Sequence, residues 1–339
     1  MVKRGLVAPG LVAPGLVAPG LVAPGLVAMA TGIAMLAQAQ AADVPAKAPV
    51  APAPVPDSIF LFADTQVSYR YVFPASEPGI PNRKTADPLD GRGIPKHVLN
   101  ISHADAWAYG TNFFSLDILK SGSQDPSGYA FPRLGIATGI GATEAYGLYR
   151  GTLSGNALSS SKAFAIPGVV KDVSISFGAD MNSKNTSFGS EKRLMVAGVS
   201  FAFDVPAGFM NLAVHASKEW NRNGIVPLPA RDVEFQVTPE FELVYNFPLD
   251  FTGLPLSLAG FNNVVLPKGR DGFGAKTVTE FLSRTNLVLD VGKLIYDKPN
   301  RVNVFVGFQY WRNKFGNDQS RVPGSEEKAF LAGVAFHIF

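Results

Sequence analysis

Apolar and polar residues alternate along most of the chain after residue 57, in segments that are unusually long for soluble strands. Near the end of the chain, for example, Val304, Val306 and Phe308 alternate with Asn303 and Gln309. A period of two predicts β-strands, each with one apolar and one polar face. Twelve such segments are present: 58–73, 96–107, 110–120, 142–152, 169–181, 191–204, 208–220, 231–247, 253–266, 275–291, 300–312 and 328–339.

Strand length and loop length together favour a membrane barrel over a soluble sandwich. Soluble strands usually have ~5–6 residues, whereas a transmembrane strand needs ~9–11. Long polar loops follow the odd-numbered segments, and tight turns follow most of the even-numbered ones, a layout typical of outer-membrane barrels. We therefore predict an all-β fold, a closed antiparallel transmembrane barrel of about 12 strands, in contact with the lipids of a Gram-negative-type outer membrane.

Two parts of the chain depart from this regular pattern. The connection 154–168 is long where a short turn is expected, and we predict a short helical turn in its NALSSSKAF stretch. At the end of the chain, Phe336 and Ile338 belong to the apolar phase, whereas His337 shares the phase of the terminal Phe339. Either a bulge or a last strand that is apolar on both faces would account for this.

The composition excludes several classes of function. Cysteine is absent, so the chain has no disulfides, no cysteine-based metal or iron–sulfur site and no thiol catalysis. The formal net charge is only +3, and two of the positive charges, Lys3 and Arg4, lie in the leader described next. This is not the basic surface of a nucleic-acid-binding protein.

The first 57 residues read as an export signal followed by a spacer. Residues 1–41 have a basic start, an apolar stretch and the sequence Ala-Gln-Ala at 39–41, which predicts a cleaved signal peptide. Repeats of Gly-Leu-Val-Ala-Pro fill part of this leader, and their prolines argue against a membrane anchor. Residues 42–57 form an Ala/Pro-rich spacer, and the barrel is expected to occupy 58–339.

Charged and aromatic residues on the polar faces of the strands are the candidates for binding a solute in the lumen. Carboxylates and Arg can bind hydroxyl groups, and aromatic rings can stack on a flat base. We also consider that each charge is neutralised by a partner on an adjacent strand. The candidate substrate-binding residues are Asp117, Tyr146, Arg150, Asp180, Glu234, Glu242, Glu280 and Arg284, and Tyr149 is a further candidate for stacking.

His103 and Asp105 are the remaining pair that suggests chemistry. The chain has four histidines, and no third residue stands at a recognisable metal-ligand spacing from this pair. We interpret the pair as part of a structural turn between segments 2 and 3, with Trp107 and Tyr109 at the periplasmic interface. No metal, cofactor or catalytic residue is predicted.

Several stretches resemble the nucleoside-specific channel-forming outer-membrane proteins, the Tsx-like family. The resemblance is carried by Glu77-Pro78-Gly79, by the block ISHADAWAYGTNFF at 101–114, by Asp117, Ser121 and Asp125-Pro126, by Glu144-Ala145-Tyr146 with Tyr149-Arg150, and by Lys171-Asp172. It implies a monomeric twelve-stranded barrel whose narrow lumen passes nucleosides. The phase of the last strand departs from the family pattern.

The expected function is therefore passive uptake of small solutes, with nucleosides as the implied cargo and no enzymatic step. A channel needs only weak binding and a path through the membrane. Two alternatives belong to other classes. An outer-membrane hydrolase would need a lipid-facing Ser–His–Asp or Ser–His–Asn set near one rim, and no G-x-S-x-G motif is present. A structural or adhesive barrel would have a sealed lumen.

Overall fold

The computed structural model describes residues 59–125, 129–131, 136–137, 141–185, 189–222 and 232–338. The predicted signal peptide and spacer lie outside these residues. Within them, no helix is long and apolar enough to span a membrane. The strands are β1 (Phe60–Ala75), β2 (Ile94–Trp107), β3 (Gly110–Ser121), β4 (Tyr129–Phe131), β5 (Ile136–Ala137), β6 (Thr143–Ser154), β7 (Val170–Lys184), β8 (Glu191–Phe203), β9 (Phe209–Arg222), β10 (Asp232–Glu234), β11 (Thr238–Pro248), β12 (Leu256–Val265), β13 (Glu280–Asp290), β14 (Val302–Arg312) and β15 (Glu327–Ile338).

Twelve of these strands form a closed antiparallel barrel. The order around the barrel is β9-β11-β12-β13-β14-β15-β1-β2-β3-β6-β7-β8, and β8 pairs back with β9. The first and last barrel strands meet over the pairs from Thr65 with Ile338 to Phe73 with Phe330. Closure pairs the backbone of every barrel strand with two neighbours, as a lipid environment requires. The predicted fold class and strand number are thus confirmed.

The three remaining strands are short and lie in the loops at one end of the barrel. β4 and β5 pair with each other within the segment predicted to be the loop 121–141. β10 pairs with the end of β9. The prediction of one continuous strand over 231–247 is wrong, because Phe235 and Gln236 donate their backbone N–H groups to Glu219 and Lys268 and so interrupt the ladder.

Two short helices close connections at the opposite end, where the turns are mostly short. The helix α1 (Gly155–Ser159) lies in the predicted helical stretch, and the Ser154 hydroxyl accepts a hydrogen bond from the Ala157 N–H at 3.0 Å. The helix α2 (Val291–Tyr296) is capped in the same way by Asp290. Such side-chain caps satisfy N–H groups that have no partner within the helix. By analogy with outer-membrane barrels, we call this end periplasmic and the end with long loops extracellular.

The exposed fractions of the side chains in β15 show which of them face outward. Phe330, Phe336 and Ile338 are 67%, 49% and 53% exposed, whereas Leu331 and Ala335 between them are buried inside the barrel. Because the pairing of β15 with β1 continues without a shift through Ile338, no bulge is present. His337 points inward and its ring contacts Asp64 and Asn303.

Apolar side chains also occupy part of the barrel interior. Ala104, Phe113 and Phe209 form one buried cluster with Phe62, Leu148 and Val244 packed against it. A second cluster, formed by residues of β1, β2 and β12 to β15, contains Val288, Phe305 and Leu331. Phe62, Phe209, Val288 and Phe305 lie near the periplasmic ends of their strands. We call the first cluster together with Val288 and Phe305 the apolar layer of the periplasmic half, while the second cluster continues through Val72 and Val98 towards the extracellular ends of β1 and β2.

Candidate functional site

A cavity of about 330 Å³ lies inside the barrel and is lined by charged side chains of both signs. Its wall comes from the inward faces of the strands and from several extracellular loops, which contribute Glu77, Lys268 and Lys314 among others. Phe113, Leu148 and Val244 of the apolar layer also line it. Its basic residues are Arg70, Lys96, Arg150, Lys184, Lys192, Lys268, Arg284 and Lys314, and its acidic residues are Glu77, Asp117, Glu144, Asp180, Glu219, Glu240, Glu242 and Glu280.

Arg150 forms the central ion-pair cluster of the cavity. Its Nη1 donates to Asp180 Oδ1 on the adjacent strand at 2.5 Å. Its Nη2 and Nε donate to the carboxylate of Glu242 at 2.5 and 2.9 Å. Since β7, β8 and β9 separate β6 from β11, the Arg150–Glu242 pair reaches across the lumen. Tyr146 donates its hydroxyl to Asp180 at 2.6 Å and completes the cluster.

A second cluster on β1, β2 and β3 holds Asp117. Arg70 Nη2 donates to Asp117 Oδ2 at 2.5 Å, and the amide of Asn100 donates to Oδ1 at 2.8 Å. The three side chains share the inward face of neighbouring strands, as cross-strand pairing requires. Asp117 is thus neutralised and fixed in position.

Glu77 lies on the extracellular loop between β1 and β2, and its side chain lines the cavity. Its carboxylate forms ion pairs with Lys96 and, at 3.8 Å, with Lys184. Burial alone would raise the pKa of Glu77, but the ammonium groups of Lys184, Lys314 and Lys96 lower that pKa well below its usual value. Glu77 is therefore ionised at neutral pH and ties the loop to the barrel wall.

Arg284 differs from the other cations because no carboxylate oxygen lies within 4.0 Å of it among the described residues. Its Nε donates to the side-chain oxygen of Gln309 at 2.8 Å, and its guanidinium lies 5.4 Å from the centre of the Phe261 ring. The remaining N–H groups of its guanidinium have no hydrogen-bond partner in the described part of the chain and can donate to a solute. Arg284 and Phe261 together present hydrogen-bond donors beside an aromatic face.

Seven of the eight predicted residues line this one cavity: Asp117, Tyr146, Arg150, Asp180, Glu242, Glu280 and Arg284. Glu280 accepts a hydrogen bond from Trp311 Nε1 at 2.7 Å, so it is held by the strand next to its own.

The eighth predicted residue, Glu234, lies on the short strand β10, where its side chain is 65% exposed and pairs with Lys218. The structure places it at the rim and apart from the cavity. Tyr149 points to the outer face.

The sequence prediction missed residues of two kinds. Arg70, Lys96 and Lys192 lie on strands with the same phase as the predicted residues, and a stricter count of alternation would have found them. Lys268 and Lys314 come from loops, where no periodicity exists to indicate direction. Lys268 is paired with Glu219 at 2.5 Å and Lys314 with Glu327 at 2.8 Å.

Metal binding has no evident site in the part of the chain that the structure describes. There, no group of three or more His, Asp or Glu side chains is arranged to hold a metal ion. The chemistry available in the cavity is therefore that of hydrogen bonds, ion pairs and aromatic contacts.

The repeats of the leader match a known family model. That model, described as the GLTT repeat in six copies, covers residues 5–29 and none of the barrel. No curated protein sequence matches the chain.

Solved structures similar to the chain are outer-membrane barrels of several kinds. The translocator domain of the autotransporter NalP from Neisseria meningitidis has 12% identity and a TM-score of 0.41, over 81% of this chain and 88% of that one. The KdgM porin has 11% identity and a TM-score of 0.36, over 81% and 99%. An anion-selective porin from Comamonas acidovorans has 8% identity and a TM-score of 0.30, over 81% and 98%. At such values the barrel assignment depends on the strand pairing of this chain itself.

The central cluster gives a prediction about stability. Replacing Arg150 with Gln removes the guanidinium shared by two largely buried carboxylates, leaving Asp180 with Tyr146 and the more distant Lys192, and we expect the free energy of unfolding to fall by about 3 kcal/mol. Adding Glu242→Gln should recover part of the loss. Arg222→Gln, which breaks ion pairs at the exposed rim, should change little and serves as the control. Urea unfolding of the barrel in lipid vesicles, followed by tryptophan fluorescence, measures all three.

Proposed function

We propose that the barrel is an outer-membrane channel for passive uptake of small polar solutes. The observation that carries this proposal is the cavity inside the closed barrel, where eight basic and eight acidic side chains surround a volume of about 330 Å³. That volume lies at the low end of the ~300–1,000 Å³ of sites that hold small molecules. Because the eight basic and eight acidic side chains balance in number, the lumen suits neutral, hydroxyl-rich or zwitterionic solutes better than a strongly charged one.

We further propose nucleosides as the cargo. A nucleoside combines a flat base with a ribose that bears several hydroxyl groups. Phe261 and Trp311 supply aromatic faces in the cavity, and Arg284 supplies N–H donors that have no partner among the described residues. Stacking and hydrogen bonds of this kind bind weakly enough for release, as conduction requires.

The rest of the proposal concerns how the chain reaches the membrane. In this proposal residues 1–41 direct export and are removed, residues 42–57 link the cleavage site to the barrel, and the barrel that follows acts as a monomer. N-terminal sequencing of the protein purified from outer membranes tests the cleavage site.

Conductance across a planar lipid bilayer tests the channel function. We expect the refolded chain to conduct salt and nucleosides to reduce the current, whereas glucose at the same concentration reduces it less. Conductance without selective reduction by nucleosides would support a channel and contradict the nucleoside assignment. Absence of conductance would support the sealed, structural barrel.

Arg284 gives the prediction for solute binding. Arg284→Gln removes charged donors from the cavity, and we expect the nucleoside concentration that halves the current to rise about tenfold. Arg222→Gln, at the rim and outside the cavity, should leave that concentration unchanged. Equal values for the wild type and Arg284→Gln would show that Arg284 does not contact the solute.

The apolar layer gives a second prediction, with adjacent residues as a matched pair. Phe113 is buried in the layer and Phe114 is 43% exposed on the outer face. Because apolar constrictions limit the water and ions that pass, Phe113→Ala should increase the single-channel conductance and Phe114→Ala should leave it unchanged. Equal conductance for the two variants would place the narrowest point elsewhere.

A further inference from the structure

Five polar side chains form a continuous row across the outer face of four neighbouring strands, joined by three hydrogen bonds and one longer imidazole–carboxylate contact. Thr65 Oγ1 lies 2.8 Å from His103 Nδ1, and His103 Nε2 lies 3.6 Å from Asp105 Oδ2. The amide of Asn112 donates to Asp105 Oδ1 at 2.9 Å, and the Tyr149 hydroxyl donates to Asn112 Oδ1 at 2.7 Å. The strands involved are β1, β2, β3 and β6, which are consecutive in the barrel.

Strand alternation places this chain of side chains on the lipid side. Ala104 and Phe113, which flank Asp105 and Asn112 in sequence, belong to the apolar cluster inside the barrel. The nearest residues of the same phase, Ile101 and Phe114, are 41% and 43% exposed on the outside. The prediction that His103 and Asp105 belong to a turn is therefore wrong, because both lie within β2.

Ionisable side chains that face lipid are costly, and they usually indicate a functional site. Here the Asp105 side chain is only 8% exposed, covered by its partners, whereas the His103 side chain is 40% exposed. The network therefore shields its carboxylate and leaves the imidazole and the neighbouring hydroxyl open to molecules in the bilayer.

The order of the groups is that of a nucleophile, a general base and an acid that orients the base. A hydroxyl bonded to one imidazole nitrogen, with a carboxylate beside the other, is the arrangement that activates the hydroxyl oxygen for attack on a carbonyl group. Asn112 and Tyr149 hold the carboxylate in place, as supporting residues do in such sites. We propose that Thr65, His103 and Asp105 form a lipid-facing site that hydrolyses acyl esters of membrane lipids.

The position along the strand fits an ester substrate in the periplasmic leaflet. Asp105 is two residues from Trp107, whose ring packs edge-on against Tyr109 at the turn between β2 and β3. Such aromatic pairs lie at the membrane interface, near the lipid headgroups. The ester carbonyls of phospholipids lie just below those headgroups. His103 and Asp105 lie two to four residues from Trp107 along β2, which places them at about this depth.

The reaction balances with water as the only co-reactant. Thr65 Oγ1 attacks the ester carbonyl carbon while its proton passes to His103 Nδ1, and Asp105 stabilises the resulting imidazolium. The tetrahedral intermediate then releases the lyso-lipid alkoxide, which takes the proton from His103, and leaves an acyl-threonine. Water attacks this ester with His103 again accepting the proton, which releases the fatty acid and restores Thr65. The step is independent of the lumen and of the channel function.

Release of fatty acid from phospholipid is the direct test. The full chain, refolded from inclusion bodies into phosphatidylethanolamine and phosphatidylglycerol vesicles, should release free fatty acid, measured by mass spectrometry. Thr65→Val, which keeps the shape and removes the hydroxyl, and His103→Gln should each reduce the rate by about 10²- to 10⁴-fold. Thr65→Ser should retain activity, because it keeps the nucleophilic oxygen.

Thr285→Val is the matched control, because Thr285 also bears a hydroxyl that is bonded to a lone polar partner, Tyr245 at 2.6 Å, with no histidine in its network. It should hydrolyse lipid at the wild-type rate. Conductance of each variant confirms that the barrel has formed. Fatty-acid release no faster than from protein-free vesicles, or equal rates for the wild type and Thr65→Val, would overturn the proposal and leave the network a structural one.

Discussion

Satisfaction of backbone hydrogen bonds in lipid is the constraint from which the rest of this structure follows. A strand edge exposed to hydrocarbon would leave a row of N–H and C=O groups without partners. The pairing of β15 with β1 removes that edge, and it requires the last strand to keep its register to Ile338. In the closed barrel, each side chain of a strand points either to the lipid or to the lumen, because successive side chains point to opposite faces.

The lumen is filled in two different ways along its length. In the periplasmic half, Phe113, Phe209 and Phe305 pack into apolar clusters that narrow the passage. Around the cavity, cations and carboxylates form ion pairs, and the Arg150–Glu242 pair reaches from one wall to another at the level of Phe113, the register partner of Arg150. Except for Arg284, the basic residues that line the cavity are paired with carboxylates, as burial of charge requires, whereas the periplasmic half is lined largely by packed apolar side chains.

The fold was predicted almost completely from the sequence because apolar and polar residues alternate regularly along the barrel strands. Twelve alternating segments correspond to the twelve barrel strands, and the phase of β15 was assigned correctly even where the terminal residues conflicted. Prediction failed where periodicity ends. Glu234 has the phase of a luminal residue, but the ladder is interrupted at 235–237 and its side chain lies at the rim. Loop residues such as Lys314, and pairs that cross the lumen, depend on distances in space that no local pattern encodes.

The central claim is that apolar side chains coat the barrel and polar ones face its interior, and the absence of native cysteine makes it directly testable. Ser115 lines the cavity and its neighbour Leu116 has the opposite phase. A fluorophore attached to Leu116→Cys in reconstituted vesicles should be quenched by lipids with brominated acyl chains and little by aqueous iodide. One attached to Ser115→Cys should show the reverse. Equal quenching at both positions, or the opposite preference, would contradict the account.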